Sequence, residues 1–286
     1  MSTATGPAID LTFERTLDRR LVHRTAVSGV LLTSLSEGVD DRWWGGFQLS
    51  RQHVNRGSST WVPVHLGAEI LRQSGLAIAH RYFHVPLDAA FLIDELAFSW
   101  TAGAPPCFPR FGPFAGVCET RLVSETKRRG VTFELALEFE VRSSDTRLAQ
   151  GSGRLRCVTA EQYRVLRRSA PRPTDVPLRE DAALLKDVVA STTGIEGTLS
   201  WDHTDAFYFD HPTDHVPGMV LVGAMSSAAG IILKGAMPNG FSASFVKFVE
   251  FASDAVVVAS VVNEASKVHV EVRQNGVVAA VGDWIA

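Results

Sequence analysis

Three polar side chains, Glu69, Arg72 and Gln73, stand inside the otherwise apolar stretch WVPVHLGAEILRQSGLAIAH at residues 61–80. At spacings i, i+3 and i+4 they share one side of a helix. Leu66, Ile70, Leu71, Leu76, Ala77 and Ile78 leave that helix little room for a wet face, so it is expected to be buried. A carboxylate and a guanidinium carried into a core are costly unless paired and hydrogen-bonded. They are therefore a structural ion pair or a working site. As chemistry, Glu69 is the candidate proton acceptor and Arg72 the candidate binder of a phosphate or carboxylate, with Gln73 beside them. Burial raises the pKa of such a carboxyl and a neighbouring guanidinium lowers it, and the sequence does not fix the balance.

A second polar group precedes a second apolar helix, in FYFDHPTDHVPGM at residues 207–219. It carries Asp210, His211, Asp214 and His215. His215 is the candidate to face Glu69 and share proton transfer, with Asp214 as its neighbour and a substrate contact. The helix starts at Val64-His65 and Gly218-Met219 offer backbone N–H groups to an oxyanion, which makes His65 and Gly218 candidate binding residues. Cys107, Cys118 and Cys157 lack metal-type spacing, and Asp214 and His215 have no third ligand at a fitting distance in sequence, so no metal is expected. There is no Gly-rich phosphate loop and no Gly-x-Ser-x-Gly elbow, and no cofactor is expected.

These residues need elements to hold them. Residues 21–35 read as an opening strand, 40–47 as a turn-rich segment with Trp43 and Trp44 packing, and 51–60 as loop. Residues 131–141 alternate strictly, with Phe133, Leu135, Leu137, Phe139 and Val141 on one face and Thr132, Glu134, Glu138 and Glu140 on the other, which predicts a half-buried antiparallel strand. Residues 116–125 pair with it across Lys127-Arg128-Arg129-Gly130. Strands are also expected at 91–100, 150–158, 241–251, 255–262, 268–272 and 277–281, the last entered through an Asn275-Gly276 hairpin turn. A short helix is expected at 160–168 and a second apolar helix at 220–233. The proline-rich run RRSAPRPTDVPL is the linker candidate.

The two apolar helices are announced alike, by Val62-Pro63 and Val216-Pro217, an offset of 217 − 63 = 154 residues. On that register Glu69 meets Gly223, Arg72 meets Ser226 and Gln73 meets Ser227. Each half is then a loop, a buried helix and a run of antiparallel strands. The expected fold is α+β, a tandem double hotdog in which two curled antiparallel sheets each wrap a long central helix. The expected domains are 1–166, carrying the charged helix, a linker at 167–182, and 183–286 with the degenerate copy. One polar site per chain follows, with a groove beside the small-residue helix that begins near Gly223.

The chain has 286 residues, 45% hydrophobic and 21% charged, with a net charge of −3, an ordinary globular composition that argues against nucleic-acid binding. No apolar run is long enough to span a bilayer. The N-terminus lacks the apolar centre of a signal peptide, and the thiols read as reduced, so a cytoplasmic protein is expected.

At residues 68–80 (AEILRQSGLAIAH), 85–92 (VPLDAAFL), 207–219 and 21–33 (LVHRTAVSGVLLT), the chain resembles the A-factor biosynthesis (AfsA-type) hotdog family. The resemblance runs through both halves in order. It implies transfer of a β-ketoacyl group from an acyl carrier protein to the hydroxyl of dihydroxyacetone phosphate, in actinobacterial γ-butyrolactone or other secondary-metabolite synthesis. Glu69, Arg72 and Gln73 match the family's Glu-x-x-Arg-Gln pattern. The family usually repeats that pattern in its second half, where this chain has Gly223-Ala224-Met225-Ser226-Ser227. The alternatives are a hotdog dehydratase or thioesterase on a related thioester, or a non-catalytic acyl or butyrolactone binding protein. The working unit is expected to be a monomeric pseudo-dimer or a homodimer. As an acyltransferase, the protein is expected to keep its fold and lose turnover on Glu69→Ala.

Overall fold

The computed structural model describes residues 10–53, 60–170, 179–181, 183–263 and 267–286. Most of the proposed linker therefore lies outside the described residues. Among the described residues twelve strands and three α-helices follow in chain order. The first half holds β1 (Leu32–Glu37), β2 (Arg42–Leu49), α1 (Val64–Tyr82), β3 (Ala90–Trp100), β4 (Phe114–Arg128), β5 (Val131–Ser143), β6 (Thr146–Val158) and α2 (Ala160–Leu166). The second holds β7 (Leu185–Ala190), β8 (Gly194–Leu199), α3 (Gly218–Ile232), β9 (Gly240–Phe245), β10 (Ala255–Asn263), β11 (Lys267–Gln274) and β12 (Val277–Ile285).

All pairings are antiparallel and join one sheet in the order β1-β2-β4-β5-β6-β3-β9-β12-β11-β10-β8-β7. From the central β3–β9 pair outwards, each strand of the first half answers the strand six places later in the second. The same topology is thus written twice, and the two curled sheets expected from the sequence fuse along β3 and β9 into one. Both central helices have proline at the N-cap, Pro63 and Pro217, so their starts differ by 218 − 64 = 154 residues.

Burial explains each element. α1 packs against β1–β6 and α3 against β7, β8 and β10–β12, and the two helices touch. Leu66, Ile70, Leu71, Ala77 and Ile78 are buried on α1, and Val220, Val222, Ala224, Met225 and Ala228 on α3. On β5, Leu135, Leu137, Phe139 and Val141 face the core as the alternation requires. The β11–β12 turn has both Asn275 and Gly276 at positive φ, 52° and 75°, as a tight two-residue hairpin demands.

Several expectations change. Residues 21–35 are not one strand: 3-10 turns occupy Arg19–Val22 and Val27–Gly29, and β1 begins at Leu32. Asp40 and Asp41 make the turn at positive φ, and the segment with Trp43 and Trp44 is strand β2. β9 stops at Phe245 instead of reaching Phe251. β7 and β8 have no counterpart among the expected strands. β7 is a short, largely exposed edge strand, and the inward face of β8 carries only Ile195 and Leu199 as large apolar residues, with Gly197 between them.

Candidate functional site

The charged cluster is built from α1 and from the turns that precede β1. Asp18 caps the first 3-10 turn by accepting from Arg20 N at 3.0 Å, and His23 closes it at φ 52°. That left-handed residue turns the chain so that Arg24 is sent inward over α1. Arg24 Nη2 donates to Glu69 Oε1 at 2.6 Å, and Nη1 donates to the carbonyl of Phe207 at 2.8 Å. Arg72 Nε donates to Glu69 Oε2 at 2.7 Å and Nη2 to Oε1 at 2.8 Å. Gln73 Nε2 donates to Glu69 Oε1 at 2.8 Å and to the Gly29 carbonyl at 2.9 Å, while its Oε1 accepts from Leu31 N at 2.8 Å.

Glu69 is fully buried, and both of its oxygens are engaged by three side chains. Burial alone raises its pKa, but Arg24 and Arg72 beside it outweigh burial and hold the carboxyl well below the usual carboxylate range. A carboxylate held this firmly is a weak base. Its geometry is that of an anchor for two guanidiniums. Gln73 ties the same carboxylate to the backbone that leads into β1.

Arg24 was not singled out in the sequence. The lone pairs of a fully buried acid must all be met, but nothing in the sequence separates Arg24 from Arg15, Arg19 and Arg20 as its second cationic partner. Arg24 lines a cleft of about 2060 Å³, and its buried Nε has no hydrogen-bond partner among the described residues. The cleft runs from Arg24, Gly29, His65 and Phe207 to Gly223, Ser226, Ser227, Gly230 and Ile231 on α3. The groove expected beside the second helix is part of it.

His65 stands in the first turn of α1 on the cleft wall, its ring edge-on to Phe207 at 5.8 Å. Burial pushes its pKa down to about 4, so the imidazole is neutral at ordinary pH. Leu66 N and Gly67 N bond back to the Pro63 carbonyl. The N–H groups of Val64 and His65 are the remaining donors of that turn.

The loop before α3 does meet the other half, through different residues than expected. The Asp210 carboxylate accepts from Thr25 N and Ala26 N. His211 is the histidine near the cluster: burial lowers its pKa first, and Arg72 lowers it further. His215 instead donates from Nδ1 to the Asp214 carboxylate at 2.7 Å and packs on Phe248 at 4.6 Å. Asp214 also takes the Tyr163 hydroxyl at 2.7 Å and Arg167 Nε at 2.9 Å, and Arg167 reaches on to Glu250. Asp214 and His215 thus fasten the end of α2 to the loop before α3. They make no contact with Glu69 among the described residues. Gly218 lies against Phe245 and off the cleft wall, so of the two helix starts only that of α1 opens onto the cleft.

A further pair lies behind the cluster. His80 Nδ1 donates to the Val85 carbonyl at 2.7 Å, which leaves His80 Nε2 to accept from His23 Nε2–H at 2.9 Å. Burial, then His80, Arg72 and His211, push His23 down to about 3. Among the described residues no group of three His, Cys, Asp or Glu side chains is placed to hold a metal ion. No helix there is long and apolar enough to cross a membrane.

Fold and site together define a double hotdog with one composite charged site. The model of the A-factor biosynthesis hotdog domain matches residues 7–159 and 178–231, and the chain belongs to this AfsA family. The 2-oxo-3-(phosphooxy)propyl 3-oxoalkanoate synthase of Streptomyces virginiae is 30% identical over 257 residues, covering 82% of this chain and 84% of that protein. The synthase of the same name from Streptomyces coelicolor is 28% identical over 264 residues, covering 84% and 81%. An acyl-ACP thioesterase from Bacteroides thetaiotaomicron shares the fold with a TM-score of 0.56 at 17% identity, over 86% of this chain and 97% of that one.

Proposed function

We propose that this protein is a hotdog acyltransferase that moves a β-ketoacyl group from a thioester to the hydroxyl of a small phosphorylated acceptor of the dihydroxyacetone phosphate class. The observation that carries the proposal is Arg24, a buried guanidinium fixed by Glu69 and the Phe207 carbonyl on the wall of a long cleft. The names of the Streptomyces relatives support the same chemistry, since such a synthase joins a 3-oxoalkanoyl group to a phosphooxypropyl one.

In this reading Arg24 takes the acceptor's phosphate, a role for which a planar, fixed guanidinium is suited. Glu69 and Gln73 position Arg24 and Arg72 and do not themselves take the proton. The N–H groups of Val64 and His65 receive the oxyanion that forms on the thioester carbonyl. The neutral His65 ring accepts the hydroxyl proton as oxygen attacks the carbonyl carbon, and returns it to the sulfur as the carbon–sulfur bond breaks. One ester and one thiol result, and no cofactor is consumed. Gly223 makes room for Tyr208, whose ring borders the space left to the acyl group. We take the thioester carrier to be an acyl carrier protein and the working unit to be the single chain, two hotdogs supplying one site in the cytoplasm.

The test is incubation of the purified protein with β-ketoacyl thioesters, with and without dihydroxyacetone phosphate, followed by mass spectrometry. The expected product is the phosphorylated β-keto ester, formed only with the acceptor present. Free β-keto acid as the sole product, a dehydrated thioester, or an unchanged thioester each overturns acyl transfer.

A further inference from the structure

Two successive aromatic side chains join the ends of the cleft. Phe207 packs on His65 and lies under Arg24, whose guanidinium carbon is 5.6 Å from its ring centroid. Tyr208, next in the chain, stacks edge-on to Phe207 at 4.9 Å and reaches across to α3. A Cβ at Gly223 would come within 2.4 Å of the Tyr208 hydroxyl oxygen and 2.7 Å of Leu184 Cδ1. Only a glycine leaves room for that crossing. Tyr208, Leu184 and Gly223 all line the cleft, and the Tyr208 hydroxyl bonds to no described residue. Beyond Gly223 the floor continues along one face of α3 through Ser226, Ser227, Gly230 and Ile231, at spacings i+3, i+4, i+7 and i+8. Ser227 Oγ turns back onto the Gly223 carbonyl at 2.9 Å, which removes its hydroxyl from the lane.

We infer that Tyr208 is the residue that sets acyl chain length: its ring crosses the cleft between the polar head and the α3 lane, and the alkyl tail of the acyl thioester must pass it. The inference rests on the acyl-thioester reading above and adds where the tail lies and what limits it. Tyr208 takes no part in the proton or phosphate chemistry. With the ring in place, tails that end before Gly223 fit best. Each further methylene that finds apolar room gains about fourfold in binding, so removing the ring shifts the preference to longer chains.

The experiment uses a homologous series of β-ketoacyl-coenzyme A thioesters from butyryl to dodecanoyl length on the full chain. Turnover is measured with dihydroxyacetone phosphate, and binding separately by displacement of the fluorescent fatty acid cis-parinaric acid. Tyr208→Ala is expected to raise the long-to-short ratio at least about tenfold in both assays, from two or more methylenes gained. Tyr208→Phe keeps the wild-type profile, because the ring and not the hydroxyl sets the limit. Adding Ile231→Trp to Tyr208→Ala, at a position exposed enough to leave the fold intact, lowers the ratio again by filling the far lane that the ring no longer closes. A Tyr208→Ala binding profile that superimposes on the wild type overturns the inference, as does a Tyr208→Ala/Ile231→Trp profile without loss at long chains relative to Tyr208→Ala, or no displacement by any chain length. A shifted binding profile without ester formation upholds the gate and overturns only the transfer reaction.

Discussion

α1 and α3 start 154 residues apart behind the same Val-Pro step, yet they carry opposite loads. α1 holds a buried carboxylate with two guanidiniums and an amide around it. At the matching position α3 has Gly223, and the space a side chain would fill is taken by Tyr208 and Leu184. The second site has thus not merely lost its charges. Its volume is given to an aromatic ring from the loop whose neighbour, Phe207, completes the first site through its carbonyl. One helix supplies chemistry and the other supplies space, which is how a duplicated chain can form a single asymmetric site.

The largest expected effect tests the loaded helix. Glu69→Ala leaves Arg24 and Arg72 without their counter-charge, and breaking a buried pair from one side costs about 3–5 kcal/mol. Chemical denaturation is expected to show that loss along with abolished turnover. This differs from the expectation that the variant keeps its fold, because the structure gives Glu69 two cations to hold instead of one. Undiminished stability sinks the anchoring role.

Next in size is the reverse graft. Gly223→Glu forces a carboxylate under Tyr208 with no guanidinium to meet it, and overpacking alone costs about 1–3 kcal/mol. The double variant Gly223→Glu/Tyr208→Ala is expected to recover part of that loss in thermal melts. No recovery means that Tyr208 is not what excludes a side chain there.

Arg24→Lys keeps the charge and loses the fork. Stability is expected to change little, while kcat with the phosphorylated acceptor falls by roughly 10²-fold, the scale of removing one fixed donor from a charged site. Unchanged kinetics would take Arg24 out of the site.

Acid titration separates the loaded helix from the empty one with the smallest effect. The folded pKa values of His65 and His23 are lowered to about 4 and about 3, so the unfolded chain binds protons first. Stability is expected to be full above the unfolded histidine value of about 6.5 and to fall as pH drops from there toward the folded values. The carboxylates of Glu69 and Asp214 are held below their unfolded values, so their contribution is present above about 4 and is lost only below it. A urea-denaturation series across pH is expected to show both stages. His65→Asn flattens the first, and Arg167→Ala, which frees Asp214 from its ion pair, flattens the second.

Much of this was legible in the chain. The alternation at residues 131–141 fixes β5 because a period of two admits only one face to the core. The repeated Val-Pro step and the Glu69-Arg72-Gln73 spacing mark both helices and their inequality, since an all-apolar helix with a charged face has few places to go. Family likeness at the same segments agrees with the domain match. Residues 21–35 misled because Val22, Val27 and Val30 mimic a strand, while the segment's work is to turn and deliver Arg24.

The sequence alone determined that one helix carries a buried acid and that its counterpart does not, because residue type and periodicity are local and need no partner to be read. Which groups meet that acid was decided only by tertiary structure. Arg24 is 45 residues away and Phe207 is 183 from Arg24, and contacts at such separations leave no trace in spacing. The opening helix therefore changes role on folding, with Glu69 holding guanidiniums in place and His65, one turn earlier, left neutral on the cleft. The cluster of His215 and Asp214 changes as well, since Tyr163 and Arg167 reach it first across the junction of the two halves.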